Sequence, residues 1–225
     1  MMKVDILIPT YNVENTIERS LNSLLSQTFS NYDIHILDDC STDKTLERVE
    51  TLLAPLVEEG RVRIEKNDIN QGIGLTRNKL IEMSKSPLCC WFDADDYMYP
   101  NKLQAQVDYF NHNSDCNFLA TEMFGFFPNT PVVIDFPNKA FMVENLTLEK
   151  LQHSNCINNP TVMFRPEAVK ELGGYKDMRA EEDWDLWRRV YENGGKINCL
   201  PRKLLLYTLP HGWPNSHKHG EGGSK

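Results

Sequence analysis

Short apolar runs alternate with segments of helical periodicity through the first part of this chain. The runs occupy residues 4–8, 34–37, 62–64 and 88–92. Between them, apolar residues recur every three or four positions, beginning with Ile17, Leu21 and Leu24. Strands that alternate with helices of this length predict an α/β fold, with a mostly parallel central sheet and helices on both faces.

Turn-forming residues suggest where the first elements begin and end. Pro9 is expected to end the first strand, and Asn12 is expected to cap the helix that follows. Beyond residue 113 the pattern weakens: residues 117–123 are predicted as a strand and residues 124–138 as a loop. The length favours a single domain over residues 1–210, followed by a partly flexible C-terminal tail over residues 211–225.

The composition argues against several classes of protein. A net charge of −8, from 24 basic and 32 acidic residues, disfavours a nucleic-acid-binding surface. No apolar stretch approaches the ~18 residues of a membrane span, and the N-terminal run is too short for a signal peptide. The 6 cysteines form no CxxC pair, which favours reduced thiols over zinc ligands. We therefore expect a cytoplasmic protein, reaching the inner face of a membrane only by peripheral association.

Acidic residues are clustered in three places. Asp38-Asp39 follows the second apolar run, Asp93-Ala94-Asp95-Asp96 follows the fourth, and Glu181-Glu182-Asp183 opens a predicted helix. Ligands bind beyond the carboxyl ends of the strands in sheets of this kind, so the first two clusters are expected at one sheet edge. Converging carboxylates bind hard cations such as Mg²⁺ or Mn²⁺, which in turn bind phosphate. The clusters therefore predict chemistry on a metal-bound diphosphate.

Asp183 has a sequence environment that sets it apart from its acidic neighbours. Helical spacing places it on the same face as Leu186, Trp187 and Val190, which are large and apolar. Burial there would raise its pKa and the helix N-terminus would lower it, so the sequence leaves the net shift open. The competing interpretation is structural, because acidic residues are favoured in the first turn of any helix.

Six segments occur in one order along the chain. They are ILIPTYN (6–12), SLLSQTF (23–29), DDCSTDKT (38–45), NQGIGLTRN (70–78), FDADD (92–96) and EEDWDLWRR (181–189). Together they resemble family 2 inverting glycosyltransferases of the GT-A fold, over residues 4 to about 211. The resemblance implies a Rossmann-like sheet and transfer of a sugar from a nucleotide donor, most often a UDP-sugar, to an acceptor hydroxyl. It also implies Mn²⁺ or Mg²⁺ as cofactor.

The resemblance also assigns roles to single residues. The predicted nucleotide-binding residues are Pro9, Thr10, Tyr11, Asp39, Gly72, Arg77 and Asp93. The predicted metal ligands are Asp95 and His211, with His217 as a rival because Thr208 stands where the family often has a basic residue. Asp183 is implied as the catalytic base. The residues implied near the donor sugar or acceptor are Gly174, Glu182 and Trp184.

The expected partners are a nucleotide-sugar donor and a glycan or lipid-linked acceptor. One alternative is a sugar-nucleotide or glycan-binding module without turnover, although Asp183 would then have no use as a base. Another is a nucleotidyltransferase, which needs a basic, glycine-rich N-terminal loop to hold a triphosphate. ILIPTYN at residues 6–12 is neither basic nor glycine-rich, which disfavours that alternative.

Overall fold

The four strands predicted in the N-terminal part lie side by side in one sheet. The computed structural model describes residues 2–128, 130, 133–135, 146–178 and 180–209. Its first seven elements are β1 (Val4–Thr10), α1 (Ile17–Leu25), β2 (Tyr32–Asp38), α2 (Thr45–Glu58), β3 (Val62–Lys66), α3 (Ile73–Met83) and β4 (Leu88–Trp91). These strands are parallel, in the order β3-β2-β1-β4. The predicted strand–helix alternation is confirmed.

The remaining elements extend the same sheet with mixed strand directions. They are β5 (Tyr97–Met98), α4 (Lys102–His112), β6 (Phe118–Phe126), β7 (Val133–Asp135), α5 (Leu148–His153), β8 (Met163–Phe164), α6 (Pro166–Glu171), α7 (Glu182–Glu192) and β9 (Asn198–Thr208). The sheet of 9 strands has the order β3-β2-β1-β4-β8-β6-β9-β5, with β7 beside β6. The pairs β4–β8, β6–β8, β6–β7 and β5–β9 are antiparallel. The α/β class is therefore confirmed, but the sheet is parallel mainly in its N-terminal part.

Helices cover both faces of the sheet, as predicted. One face packs against apolar residues of α1, α2 and α4, including Leu21, Val49 and Phe110. The other packs against α3, α6 and α7, where Leu186 and Trp187 are fully buried. The central strands supply both cores because their side chains alternate between the two faces.

Two expectations at the start of the chain were wrong. β1 does not end at Pro9 but continues to Thr10. Its pairing with β4 stops at Leu7, so on that side no partner strand requires the N–H that proline lacks. Asn12 does not cap α1, which begins at Ile17. Instead Asn12 adopts a left-handed conformation (φ 51°), and its side-chain oxygen accepts a hydrogen bond from the Thr42 N–H at 2.9 Å.

The loop predicted over residues 124–138 is also partly wrong. β6 runs on to Phe126, and β7 pairs with it through Val133–Asp135. The aromatic residues that suggested a loop fit a strand, because aromatic side chains pack well on a pleated surface. All 6 cysteines are free thiols, as expected. No helix in the described ranges is long and apolar enough to cross a membrane.

Candidate functional site

The carboxyl ends of β1, β2 and β4 open into one cleft of about 440 Å³. All seven residues predicted to bind nucleotide line it, and so does the predicted metal ligand Asp95. The remaining lining residues are Val13, Asn70, Ile73, Thr76, Ala94 and Tyr207. The expectation that two acidic clusters meet at one sheet edge is therefore confirmed. We call this space the donor cleft.

Asp38 and Asp39 organise the loops on one side of the donor cleft. Asp38 is buried and accepts hydrogen bonds from Thr10 Oγ1 and from the backbone and hydroxyl of Ser41, which fixes the turn after β2. Asp39 accepts from Asn67 Nδ2, from the Gln71 N–H and from the Gly72 N–H, each at 2.8 Å. An ionised carboxylate has about four acceptor positions, so Asp39 keeps capacity for one further donor.

Gly72 occupies a backbone conformation that other residues rarely adopt. Its φ of +84° lies in the left-handed region, immediately before the first residue of α3. This turn aims the Gly72 N–H at Asp39 Oδ2 and starts α3 at the rim of the donor cleft. Gly72 thereby keeps this loop compact at the wall of the donor cleft.

The acidic segment after β4 is held by hydrogen bonds from α1 and β9. Arg19 Nη2 donates to the Asp95 carbonyl oxygen at 2.6 Å and to Thr208 Oγ1 at 3.2 Å. The Thr208 N–H donates to Asp96 Oδ1 at 2.8 Å. Burial and the neighbouring Asp93 carboxylate raise the pKa of Asp95 to about 6, although the positive charge of Arg19 opposes the shift. Burial beside the same carboxylates raises the pKa of Asp96 well above its usual range.

Arg77 connects this segment to α7. Its guanidinium forms an ion pair with Glu182, and its Nη2 lies 3.3 Å from Asp93 Oδ1. The group lies near the rings of Trp91 and Tyr175, at 5.5 and 5.7 Å from their centroids. Burial alone would lower the pKa of Arg77, but the two carboxylates more than reverse this and hold the charge in place.

Asp183 lies in the first turn of α7, next to Glu182. Its Oδ1 accepts hydrogen bonds from the Trp184 N–H at 2.7 Å and from Asn155 Nδ2 at 3.2 Å. Burial raises the pKa of Asp183 to about 6, although the positive charge of Arg77 opposes the shift. The structure thus gives the net shift that the sequence left open. Arg77 acts on both Asp93 and Asp183, so the second and third acidic clusters share one electrostatic environment.

Two of the three residues expected near the donor sugar or acceptor have other surroundings. Gly174 lies outside the donor cleft: with Gly173 it follows α6, and it lines a second cleft beside Asn78. Its φ of +72° and the Asn78 side chain, which a Cβ would meet at 2.6 Å, explain why glycine is required there. Glu182 is 6% exposed, and its carboxylate accepts a hydrogen bond from the Arg77 guanidinium.

Trp184, the third of these residues, is turned toward α5. Its indole N–H donates to the Leu151 carbonyl oxygen, and the Arg188 guanidinium lies 5.4 Å from its ring. A role for Trp184 at the acceptor stays a prediction. The proposed metal ligand His211 and its rival His217 both fall outside the described residues.

The donor cleft offers side chains that fit a divalent cation whose remaining ligands would come from a phosphate. Its acidic side chains offer only oxygen, which suits Mg²⁺ or Mn²⁺, and burial beside the Asp93 carboxylate raises the pKa of Asp95. Within the described part of the chain, no three His, Cys, Asp or Glu side chains form a cluster that could hold a metal. Magnesium sites commonly use one or two carboxylates together with substrate phosphates, so two aspartates are enough.

Sequence reasoning missed three residues at or beside the site. Tyr207 lines the donor cleft from β9, Arg19 holds the Asp95 segment from α1, and Asn155 contacts Asp183 from the segment after α5. The comparison with the family at Thr208 pointed to the neighbourhood of Tyr207 but gave Tyr207 no role. Nothing in the local sequence marks Arg19 or Asn155.

Comparison with known proteins identifies the family. The family model described as "Glycosyl transferase family 2" matches residues 5–173. The chain belongs to glycosyl transferase family 2. The enzyme class predicted from the sequence, a glycosyltransferase, is thereby confirmed. A glucosyltransferase from Escherichia coli, WfgD, is 30% identical over 201 residues, which cover 87% of this chain and 73% of WfgD. Its name gives UDP-Glc as donor and α-D-GlcNAc-diphosphoundecaprenol as acceptor.

Solved structures of other glycosyltransferases share the fold. The Staphylococcus aureus protein TarS, residues 1–349 in complex with UDP-GlcNAc, matches with a TM-score of 0.76 and 24% identity, over 96% of this chain and 61% of that one. A Pyrobaculum calidifontis mannosyltransferase with GDP-Man and Mn²⁺ matches with a TM-score of 0.75 and 15% identity, over 96% and 59%. This chain therefore spans about three fifths of each of these two solved chains, and 36% of TarS as a whole. The GT-A fold expected from the sequence is confirmed.

Proposed function

We propose that this glycosyltransferase moves a sugar, with inversion, from a UDP-sugar to a hydroxyl of a glycan or lipid-linked acceptor, with Asp183 as general base. The observation that carries the proposal is the link through Arg77, which contacts Asp93 at 3.3 Å and pairs with Glu182, the residue before Asp183. This link connects the donor cleft to the helix that carries Asp183, a carboxylate with a raised pKa.

The choice of donor and acceptor rests on relatives. WfgD is named for a UDP-Glc donor and a lipid-diphosphate acceptor, and TarS is named as a poly(ribitol-phosphate) N-acetylglucosaminyltransferase. The Pyrobaculum enzyme binds GDP-Man, but its identity to this chain is only 15%. A hydrogen-bond acceptor in the wall of the donor cleft, Asp39, suits the N–H of a uracil ring.

The proposed reaction is a displacement at the anomeric carbon of the donor sugar. The acceptor oxygen attacks the anomeric carbon from the side opposite the diphosphate, the carbon–oxygen bond to the diphosphate breaks, and the diphosphate leaves with the bonding electrons. Asp183 takes the acceptor proton; general-base assistance of this kind contributes about 10²–10⁴-fold. Its Oδ1 is held by Trp184 and Asn155, which leaves Oδ2 for the proton. Asp95, with Asp93 nearby, would hold a bound Mn²⁺ or Mg²⁺. The cation would stabilise the negative charge on the diphosphate.

Proton abstraction by Asp183 is tested by measuring UDP release from UDP-glucose and UDP-GlcNAc with Mn²⁺. An acceptor analogue with a β- or α-linked terminal sugar is supplied in each assay. Asp183→Asn is expected to lower turnover at least 10²-fold while UDP still binds, because the amide keeps the shape of the side chain but cannot take a proton. The matched control is Glu181→Gln, which changes an exposed acid at the start of the same helix. Unchanged turnover in Asp183→Asn would refute the base assignment, and UDP-sugar binding without turnover in the wild type would favour a binding module.

A further inference from the structure

Tyr207 is held against the acidic segment by the pairing of two strands. β5 begins immediately after Asp96 and pairs with β9 through Tyr97 opposite Leu206. In an antiparallel pair the next positions along are Asp96 and Tyr207. The neighbouring residue, Thr208, supports this register, because its N–H donates to Asp96 Oδ1 at 2.8 Å. The position of Tyr207 is therefore fixed by backbone pairing.

Tyr207 both packs against the core and lines the donor cleft. Its ring packs against the core on the side of α1 and α2, while the residue also lines the donor cleft with Asp93 and Asp95. Among the described residues, its hydroxyl has no hydrogen-bond partner. A half-buried phenol at the wall of a cleft has a free donor for a ligand that enters the cleft.

The electrostatic surroundings keep this hydroxyl protonated. Burial raises the pKa of Tyr207, and the carboxylates of Asp96, Asp93, Asp95 and Asp183 raise it further. Ionised carboxylates can only accept hydrogen bonds, so Tyr207 adds a neutral donor to an acidic wall.

We propose that the Tyr207 hydroxyl donates a hydrogen bond to the diphosphate of the nucleotide sugar. This hydrogen bond becomes stronger as the diphosphate leaves. This inference rests on the proposed function and adds a residue to it. When the anomeric carbon–oxygen bond breaks, the electron pair stays on the diphosphate oxygen, and the proton remains on Tyr207. A donor aimed at developing charge favours the transition state over the bound substrate, because hydrogen bonds to charged oxygen are the stronger ones.

The hydrogen bond from Tyr207 should contribute more to the binding of the product, UDP, than to the binding of the substrate, the UDP-sugar. UDP carries more negative charge on its terminal phosphate than a UDP-sugar does, so it profits more from the phenolic donor. Tyr207→Phe removes only the hydroxyl. We expect the dissociation constant of UDP with Mn²⁺ to rise about tenfold, that of UDP-GlcNAc or UDP-glucose to rise less, and turnover to fall about 10²–10³-fold.

Calorimetric titration of wild type, Tyr207→Phe and the control Tyr99→Phe measures these constants. Tyr99 follows β5 but lies outside the residues that line the donor cleft, so its variant should bind all ligands as the wild type does. Equal weakening of UDP and UDP-sugar, or no weakening, in Tyr207→Phe would overturn the assignment while leaving the proposed function intact. A wild-type protein that binds neither UDP nor a UDP-sugar would overturn both.

Discussion

Arg77 on α3 and Glu182 on α7 form a buried ion pair between residues 105 positions apart in the sequence. The arginine side chain is 5% exposed and the glutamate side chain 8% exposed, so neither charge is fully solvated. The same guanidinium contacts Asp93, which lies beside the predicted metal ligand. This pair therefore joins the donor cleft, which Arg77 and Asp93 line, to the helix that carries Asp183.

Removing Arg77 should destabilise the protein strongly. Arg77→Ala leaves Glu182 buried without a counter-charge, which costs about 3–5 kcal/mol in the free energy of unfolding. Urea denaturation measures this loss. The control is Arg48→Ala, which breaks the exposed Arg48–Glu18 pair and should cost no more than about 1 kcal/mol. Equal losses in the two variants would contradict a central role for the buried pair, and the double variant Arg77→Ala/Glu182→Ala should recover part of the loss.

The sequence predicted the donor cleft well because its walls follow from local rules. Asp39 and Asp93 come at or just after the ends of strands, and parallel strands place such residues at one edge of the sheet. Gly72 indicates a turn for the same kind of local reason. These residues could be assigned from the sequence alone because strand ends and turn residues leave recognisable local patterns.

The other half of the site depends on long-range pairing that local patterns do not contain. Tyr207 reaches the cleft only because β9 pairs with β5, and Asn155 reaches Asp183 only because α5 packs near α7. Glu182 resembles any acidic residue in a first helical turn, so its partnership with Arg77 was hidden. Gly174 lines a second cleft beside Asn78, so its place near the donor sugar stays a prediction.

The raised pKa of Asp183 predicts how activity depends on pH. A base acts only when it is deprotonated, and burial raises the pKa of this carboxyl to about 6. At saturating Mn²⁺, kcat/KM should therefore fall about tenfold per pH unit below roughly pH 6 and level off above about pH 7. A profile from about pH 4.5 to 8.5 measures this. A fall in kcat/KM that begins only near about pH 4, where an unperturbed carboxyl titrates, would contradict the assignment of Asp183 as the base.

Asn155 should influence the pH below which kcat/KM falls. Its side-chain amide donates to Asp183 Oδ1 at 3.2 Å and contributes to holding the pKa of Asp183 down against burial. Asn155→Ala removes this hydrogen-bond donor, so the fall in kcat/KM should begin nearer to neutral pH. At about pH 6, kcat/KM should be about 2- to 10-fold lower than in the wild type. The control Asn193→Ala changes an exposed asparagine after α7. A uniform loss at all pH values would point to a packing defect instead.

Asp95 should be required for metal-dependent nucleotide binding. UDP with Mn²⁺ is expected to raise the melting temperature of the wild type, since a ligand that binds only the folded state stabilises it. Asp95→Ala should abolish this gain, and so should removal of Mn²⁺ with a chelator. Asp115→Asn serves as the control because that carboxylate is exposed and lies outside the residues that line the cleft. A full gain in Asp95→Ala would rule out Asp95 as a metal ligand, and a gain with GDP or dTDP alone would change the nucleotide.

Asp5 should stabilise the sheet in a pH-dependent way, away from the donor cleft. Burial would raise its pKa, but the His35 ring, whose Nε2 lies 3.4 Å from Asp5 Oδ2, and hydrogen bonds from Lys85 and Ser86 hold the pKa below its ordinary range. A carboxyl with a lowered pKa in the folded state stabilises above about pH 4 and loses that contribution as the pH falls. Asp5→Asn should cost about 1–3 kcal/mol at pH 7, since an amide cannot accept from all these donors.

The matched control for Asp5 is Asp33, its partner in the β1–β2 register. Asp33 forms an ion pair with Lys3 at the surface, and Asp33→Asn should change stability by less than about 1 kcal/mol. Urea unfolding of both variants at about pH 7 and about pH 3 separates the two cases. The deficit of Asp5→Asn should shrink at the lower pH, where wild-type Asp5 has begun to lose its advantage over the unfolded chain. A deficit that is the same at both pH values would mean that the Asp5 charge contributes nothing and that only its shape matters.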